Sequence, residues 1–169
     1  TTTEIYDFLR LLFARAGEAY SYVTGKKMVK YTEQQILMLL QEEYYNHPIY
    51  LLSPLVKGRK GHYHELFEQK RKKGFLHVRI DGTLQEITQD MRLERYKVHD
   101  IEVVIDKLQV NENSLNRLTK SLRLALQQGN GMVAVVKKEE PESIRYFSLQ
   151  LMCPESGIAY SEPAPHHFS

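Results

Sequence analysis

The chain has 169 residues, a net charge of +2, 42% hydrophobic and 26% charged residues, and a single cysteine. That size and balance fit one globular domain that buries about two thirds of its unfolded surface without a disulfide or metal, and they exclude a disordered chain. The net charge is too small to mark a nucleic-acid binder unless it is clustered, Cys153 fits a reducing compartment, and no apolar run approaches the roughly 18 residues of a membrane span.

The start, TTTEIYDFL, lacks a basic leader, an apolar signal core and an initiator Met, and the end, APHHFS, carries no stop signal. Both ends read as cuts in a cytoplasmic protein with no membrane partner. Residues 3–16 predict an amphipathic helix capped by Thr3 and stopped by Gly17, with Ile5, Phe8, Leu9 and Leu12 at helical spacing. Residues 18–31 read as a loop with a short hairpin. Thr32 and Gln35 form a capping-box pattern that opens a helix running to about Tyr44. IYLLSPLV follows as a strand that Pro54 pushes toward a sheet edge.

A basic helix over about 62–73 closes at Gly74. FLHVRID alternates as a strand, Asp81-Gly82 is a hairpin turn, and TLQEIT is the return strand. HDIEVVIDKLQV is the strongest strand by its β-branched content. Asn113 or Ser114 caps a helix bearing Leu115, Leu118, Leu122 and Leu126, which ends near Gly129-Asn130-Gly131. MVAVVK and IRYFSLQL give two more strands, separated by a turn at EEPES. The order ααβαβββαββ predicts an α+β domain: a mixed, largely antiparallel sheet with helices packed on it.

No phosphate loop, dinucleotide fingerprint or nucleophile elbow occurs, and no catalytic residue is assigned. His62 and His64 form one edge of a possible metal site, but no second ligand pair follows at a useful spacing, so no metal is expected there. Lys57, Arg59, Lys60, Lys70, Arg71, Lys72 and Lys73 place seven positive charges within 17 residues. Such a run is either a phosphate-binding cluster or a lysine-rich solvated face. His77, Arg79 and Asp81 share one strand face, and Glu102, Val104 and Asp106 alternate with Val103, Ile105 and Lys107. A rigid sheet with mixed charges is either a platform for an electrostatically steered partner or an ordinary solvent face.

Three strings, TEIYDFLRLLFARAG, LLSPLVKGRKGHYHELFEQKRKKGFLHVRIDG and KVHDIEVVIDKLQV, closely resemble the bacterial excinuclease A subunit family, UvrA, in the family order. The resemblance runs from Thr2 to the terminal EPAPHHFS. It implies a piece of a DNA-damage-sensing ABC-type ATPase that loads UvrB in nucleotide excision repair. Residues 1–24 would be a helix and loop of the ATPase body, 25–150 the inserted UvrB-binding domain, and 151–169 the start of a degenerate zinc-module segment. The implied role is a non-enzymatic docking module for UvrB. ATP, Mg, DNA contact and homodimerisation belong to the parent, and an auxiliary DNA-phosphate surface is the alternative role.

Within that resemblance, His77, Arg79, Asp81 and Lys107 are the expected UvrB contacts. Arg79 and Asp81 match the family pattern, whereas His77 and Lys107 stand where the family has Arg and lack the guanidinium's planar fork. The family's C-P-x-C-G string reads Cys153-Pro154-Glu155-Ser156-Gly157 here, and Ser21 and Thr24 stand at the cysteine positions of a second such string. The resemblance with these departures implies no zinc on this chain.

Overall fold

The computed structural model describes residues 12–15, 18–21 and 27–160. β1 (Leu12–Arg15) and β2 (Glu18–Ser21) pair as an antiparallel hairpin, with Leu12 opposite Ser21 and Arg15 opposite Glu18. This corrects the C-terminal part of the helix expected over 3–16; residues 1–11 lie outside the described residues.

The capping box opens α1 (Glu33–Glu43) as expected: the Gln35 N–H donates to Thr32 Oγ1 at 3.1 Å, and the Thr32 N–H to Gln35 Oε1 at 2.9 Å. There follow β3 (Pro48–Lys60), α2 (His64–Lys72), β4 (His77–Ile80), β5 (Thr83–Glu86) and β6 (Val98–Gln109). α3 (Leu115–Gln128), β7 (Met132–Lys137), β8 (Glu140–Ser148), β9 (Leu151–Met152) and β10 (Ala159–Tyr160) complete the described elements. The six long strands form one antiparallel sheet in the order β5-β4-β6-β3-β7-β8, and a second hairpin pairs β9 with β10. The architecture is α+β, as the element order predicts.

Two prolines sit differently from expectation. β3 is central, hydrogen-bonded to β6 on one side and β7 on the other, although Pro54 argues for an edge. Pro54 is accommodated because the β7 ladder stops at Leu52 and the β6 ladder slips beside it. The turn after β7 is also shorter than EEPES: Lys137 already faces Glu140, and Pro141 lies within β8, the sheet edge where a missing N–H is tolerated.

Helices cover one face of the sheet. Ile36 and Leu40 of α1 and Leu118 and Leu122 of α3 pack on Ile49, Leu51, Val133, Val135 and Phe147. Phe67 of α2 packs on Val78, Ile80, Ile101 and Val103. On the opposite face, Leu52, Ala134, Val136 and Tyr146 lie under Met152. Val29 and Met152 exchange two backbone hydrogen bonds of 2.8 Å, and the Tyr31 N–H donates to the Ser148 carbonyl at 3.0 Å. The strands of chain that lead into and out of the sheet therefore run side by side, the arrangement that lets a domain sit inside a longer chain.

The β4–β5 turn is the two-residue primed type, with φ of +50° at Asp81 and +87° at Gly82. Asp81 is pinned there, its carboxylate bonding His99 Nδ1 and the Asp100 N–H, each at 2.8 Å. The hydrogen bond from Asp81, with help from the Glu94 carbonyl on Nε2, raises the His99 pKa above 6.5. Burial works against the Asp81 carboxylate, yet the His99 and Asp100 hydrogen bonds hold it below 3.8. The sign follows from linkage: the raised His99 value stabilises the fold at low pH and is lost as pH rises through it, while the lowered Asp81 value is lost as pH falls through it. Stability measured by urea unfolding is therefore expected to decline as pH rises from about 6.5 through the raised His99 value, and His99→Asn to remove most of that decline. An identical pH profile in the variant would contradict this pairing.

Candidate functional site

The face of the sheet opposite the helices carries the candidate site, and a bulge in β6 decides what it contains. Leu51 faces Asp106 and Leu52 faces Val104, so Ile105 is an extra residue in β6. A bulge reverses the alternation beyond it. Glu102 and Val104 precede it on the open face; beyond it Asp106 turns to the helices, where Arg117 and Ser121 of α3 hold it at 2.7 Å. Lys107 turns instead to the open face, opposite Tyr50 of β3. Simple alternation puts Lys107 and Asp106 on the wrong sides, because a one-residue bulge leaves no mark in a run of β-branched residues.

On β4, Val78 and Ile80 point to the helices, leaving His77 and Arg79 on the same open face as Lys107. Arg79 is not at the solvent, which corrects the outward-facing reading. Its side chain is 7% exposed and that of Glu102, its cross-strand neighbour, 1%, with 2.7 Å between Nη1 and Oε1. The cover comes from β8. Its register jumps from Val136–Ile144 to Lys137–Glu140, so residues 141–143 leave the ladder, and the Pro141 carbonyl accepts from Arg79 Nη2 at 3.3 Å. Burial raises the Glu102 carboxyl, and the guanidinium beside it only partly offsets that rise. Arg79 Nε is buried without a partner among the described residues, so this pair is held at some cost in solvation.

The four residues expected to meet the partner thus divide. His77 and Lys107 are exposed and share a groove; Arg79 and Asp81 are tied into internal pairs that fix β4 against β6. Tyr50, Leu84 and Val104 line the groove together with Phe75 and Leu76. Leu76 is 65% exposed, and the Lys107 ammonium lies 5.9 Å from the Tyr50 ring centroid. An apolar floor with the Lys107 ammonium and the His77 imidazole at its rim is suited to a partner that offers an apolar side chain flanked by carboxylates. Tyr50 and Leu76 escape a reading by alternation because an isolated aromatic or leucine in a strand looks like core.

The seven-residue basic run does not act as one surface. Lys57 bonds the Tyr146 hydroxyl at 2.7 Å and lies 3.9 Å from Asp100. Lys70 is buried and donates to Gln128 Oε1 at 2.7 Å; burial, then the nearby Lys73, lowers its pKa. Arg71 pairs with Glu68 at 3.1 Å. Arg59 and Lys60 are exposed at the end of β3, and Lys72 and Lys73 at the end of α2. Folding has engaged Lys57, Lys70 and Arg71 internally and left Arg59 and Lys60 on a different element from Lys72 and Lys73.

Donor atoms of His64, Glu68 and Asp90 lie within 4.8 Å of one another, but hydrogen bonds close this cluster: Glu68 takes Arg71 and the Asp90 N–H, and His64 meets Asp90 at 3.2 Å. Cys153 is buried within the connection between β9 and β10. At the position of the missing second cysteine, Ser156 Oγ accepts the Ile158 N–H at 3.3 Å, so a side-chain hydrogen bond organises this turn.

A family model described as the UvrA interaction domain matches residues 32–139. The chain belongs to the UvrA family. It is 40% identical over its whole length to the UvrABC system protein A of Bacillus subtilis, 39% to that of Thermus thermophilus and 35% to that of Deinococcus radiodurans. The chain spans 17–18% of the length of these relatives. The match to UvrA covers α1 through β7, including the groove and the buried pair. Among the described residues, no helix is long and apolar enough to cross a membrane.

Removing one partner of the buried pair leaves an uncompensated charge. Arg79→Ala is expected to destabilise the chain by about 3–5 kcal/mol in urea unfolding, and Arg79→Met with Glu102→Leu to regain most of that loss. Equal losses in the single and double variants would show that the pair is not the unit that matters.

Proposed function

We propose that this UvrA-family chain is the docking module for UvrB, received on the open sheet face between His77 and Lys107. The observation that carries the reading is the Ile105 bulge, which brings Lys107 onto the face that holds His77, over an apolar groove. Lys107 supplies a fixed positive charge, and His77 a hydrogen-bond donor that gains charge on protonation. Arg79 and Asp81 act as positioning residues: the first locks β4 to β6, the second locks the hairpin turn to the start of β6. Each of the two contact residues makes a single-point contact where an arginine would make a forked one, so the partner surface is best matched by single carboxylates.

In this reading the chain docks and does not catalyse. Its 169 residues contain no phosphate loop. ATP hydrolysis with Mg, lesion recognition on DNA and homodimerisation are assigned to the rest of the longer protein, which works in the cytoplasm as the damage sensor of nucleotide excision repair. The adjacent backbone at Val29 and Met152 supports insertion of the sheet domain, residues 25–150, into such a protein. Zinc is not part of the proposal, because Ser156 stands where a ligand would be needed.

Titration with cognate UvrB tests the surface. Lys107→Glu and His77→Glu are each expected to weaken binding about tenfold or more, an effect of ~1.4 kcal/mol or above. Unchanged affinity in both variants would remove this face from the docking account.

A further inference from the structure

The arginines whose side chains are described sort into two groups. Arg71, Arg79, Arg117, Arg123 and Arg145 each hold a carboxylate, from Glu68, Glu102, Asp106, Glu33 and Glu43. Arg59, Arg92 and Arg95 are exposed and hold none among the described residues. These three gather at one corner of the fold. Arg59 lies opposite His99 and Lys60 opposite Val98 in the β3–β6 ladder. The loop carrying Arg92 and Arg95 is seated beside them: the Leu93 N–H donates to the His62 carbonyl, and the Glu94 carbonyl meets His99 Nε2, both at 2.8 Å. The Tyr63 hydroxyl lies 3.0 Å from the carbonyls of both Arg59 and Lys60, which fixes that end of β3.

Tyr96 crowns the corner at 81% exposure, the highest of any large apolar or aromatic residue described. Glu94, the carboxylate within that loop, is already paired with Lys97 at 2.9 Å. Arg59, Lys60, Arg92, Arg95 and Lys97 outnumber the carboxylates beside them: Glu94 is paired with Lys97, Asp81 with His99, and Asp100 accepts the Gly58 N–H, while the whole chain carries only +2. Exposed guanidiniums in the same loop as a solvent-facing tyrosine call for a ligand with spaced anions and flat faces. A tyrosine that anchors a protein partner sits in an apolar, water-excluding patch. Here the chain neighbours of the ring are Arg95 and Lys97 instead.

We propose that this corner binds a single-stranded nucleic-acid segment, with Arg59, Lys60, Arg92 and Arg95 on successive phosphates and Tyr96 stacked on an unpaired base. It is a second surface, independent of the docking groove. Val98 and Lys107 stand at opposite ends of β6, which at ~3.3 Å per residue separates them by about 30 Å. A nucleic-acid strand and a protein partner therefore have room to bind at once.

The test is fluorescence anisotropy of a fluorescein-labelled oligothymidylate with the full 169-residue chain at low salt. Binding is expected to weaken with added salt at a log–log slope of about −2 to −3, as contacts with three to four phosphates imply. Arg92→Glu with Arg95→Glu is expected to weaken it at least tenfold. Tyr96→Ala is expected to weaken it at least fivefold, and to change binding of a duplex of equal length far less. Circular dichroism of these surface variants should match the parent chain. Lys107→Glu is expected to leave oligonucleotide binding unchanged, which separates this corner from the docking groove. Absent binding at low salt, or binding undiminished in the Arg92/Arg95 variant, would overturn the proposal. So would a polyglutamate peptide binding as tightly as the oligonucleotide, because that result would mark an acidic protein as the occupant.

Discussion

The contact between Arg79 and Glu102 lies under everything this domain presents to a partner. Two charges almost wholly removed from water, 2.7 Å apart on neighbouring strands, fix β4 against β6 at one register. Such a pair adds little net stability over an apolar replacement, but breaking it is costly, so any slip of β4 that separates the two is disfavoured. A slip of one residue would carry His77 to the helix side and strip the groove of one of the two basic groups at its rim. The same guanidinium holds the Pro141 carbonyl, so the excursion in β8 is positioned by the pair it covers.

The bulge at Ile105 completes what the pair begins. Without it, Lys107 would point at α3 and Asp106 at the open face, giving that face the opposite charge. With it, Asp106 becomes an internal anchor for Arg117 and Ser121, and burial is outweighed by these hydrogen bonds so that its carboxyl titrates below the usual range. One inserted residue thus assigns two adjacent charged groups to different tasks. Val29 and Met152, on the segments that flank the sheet in sequence, are adjacent in space, which suits a module carried by a larger body.

Much of this was legible in the amino-acid sequence. The Thr32–Gln35 capping box, the Asp81-Gly82 turn and the β-branched run of β6 are local signals with local causes, and each lies where residue chemistry puts it. The family strings likewise pointed to UvrA and to the segment of it that the chain covers. What local chemistry cannot carry is the outcome of long-range register. The Ile105 bulge depends on how β3 pairs with β6, and the burial of Arg79 depends on residues 141–143, some sixty positions away. The fate of the basic run from Lys57 to Lys73 is of the same kind: Tyr146 and Asp100, which engage Lys57, and Gln128, which engages Lys70, are distant in sequence. Residues 12–15 show a milder case, in which an apolar stretch with helical spacing pairs as a strand.

The central claim is that the face built by the Arg79–Glu102 pair and the Ile105 bulge is where UvrB docks. Amide chemical-shift mapping of the isotope-labelled chain on addition of cognate UvrB tests it most directly. The account predicts the largest shifts at Tyr50, Leu76, His77, Val104 and Lys107. Shifts concentrated on the outer surfaces of α1 and α3, with the groove unperturbed, would contradict it.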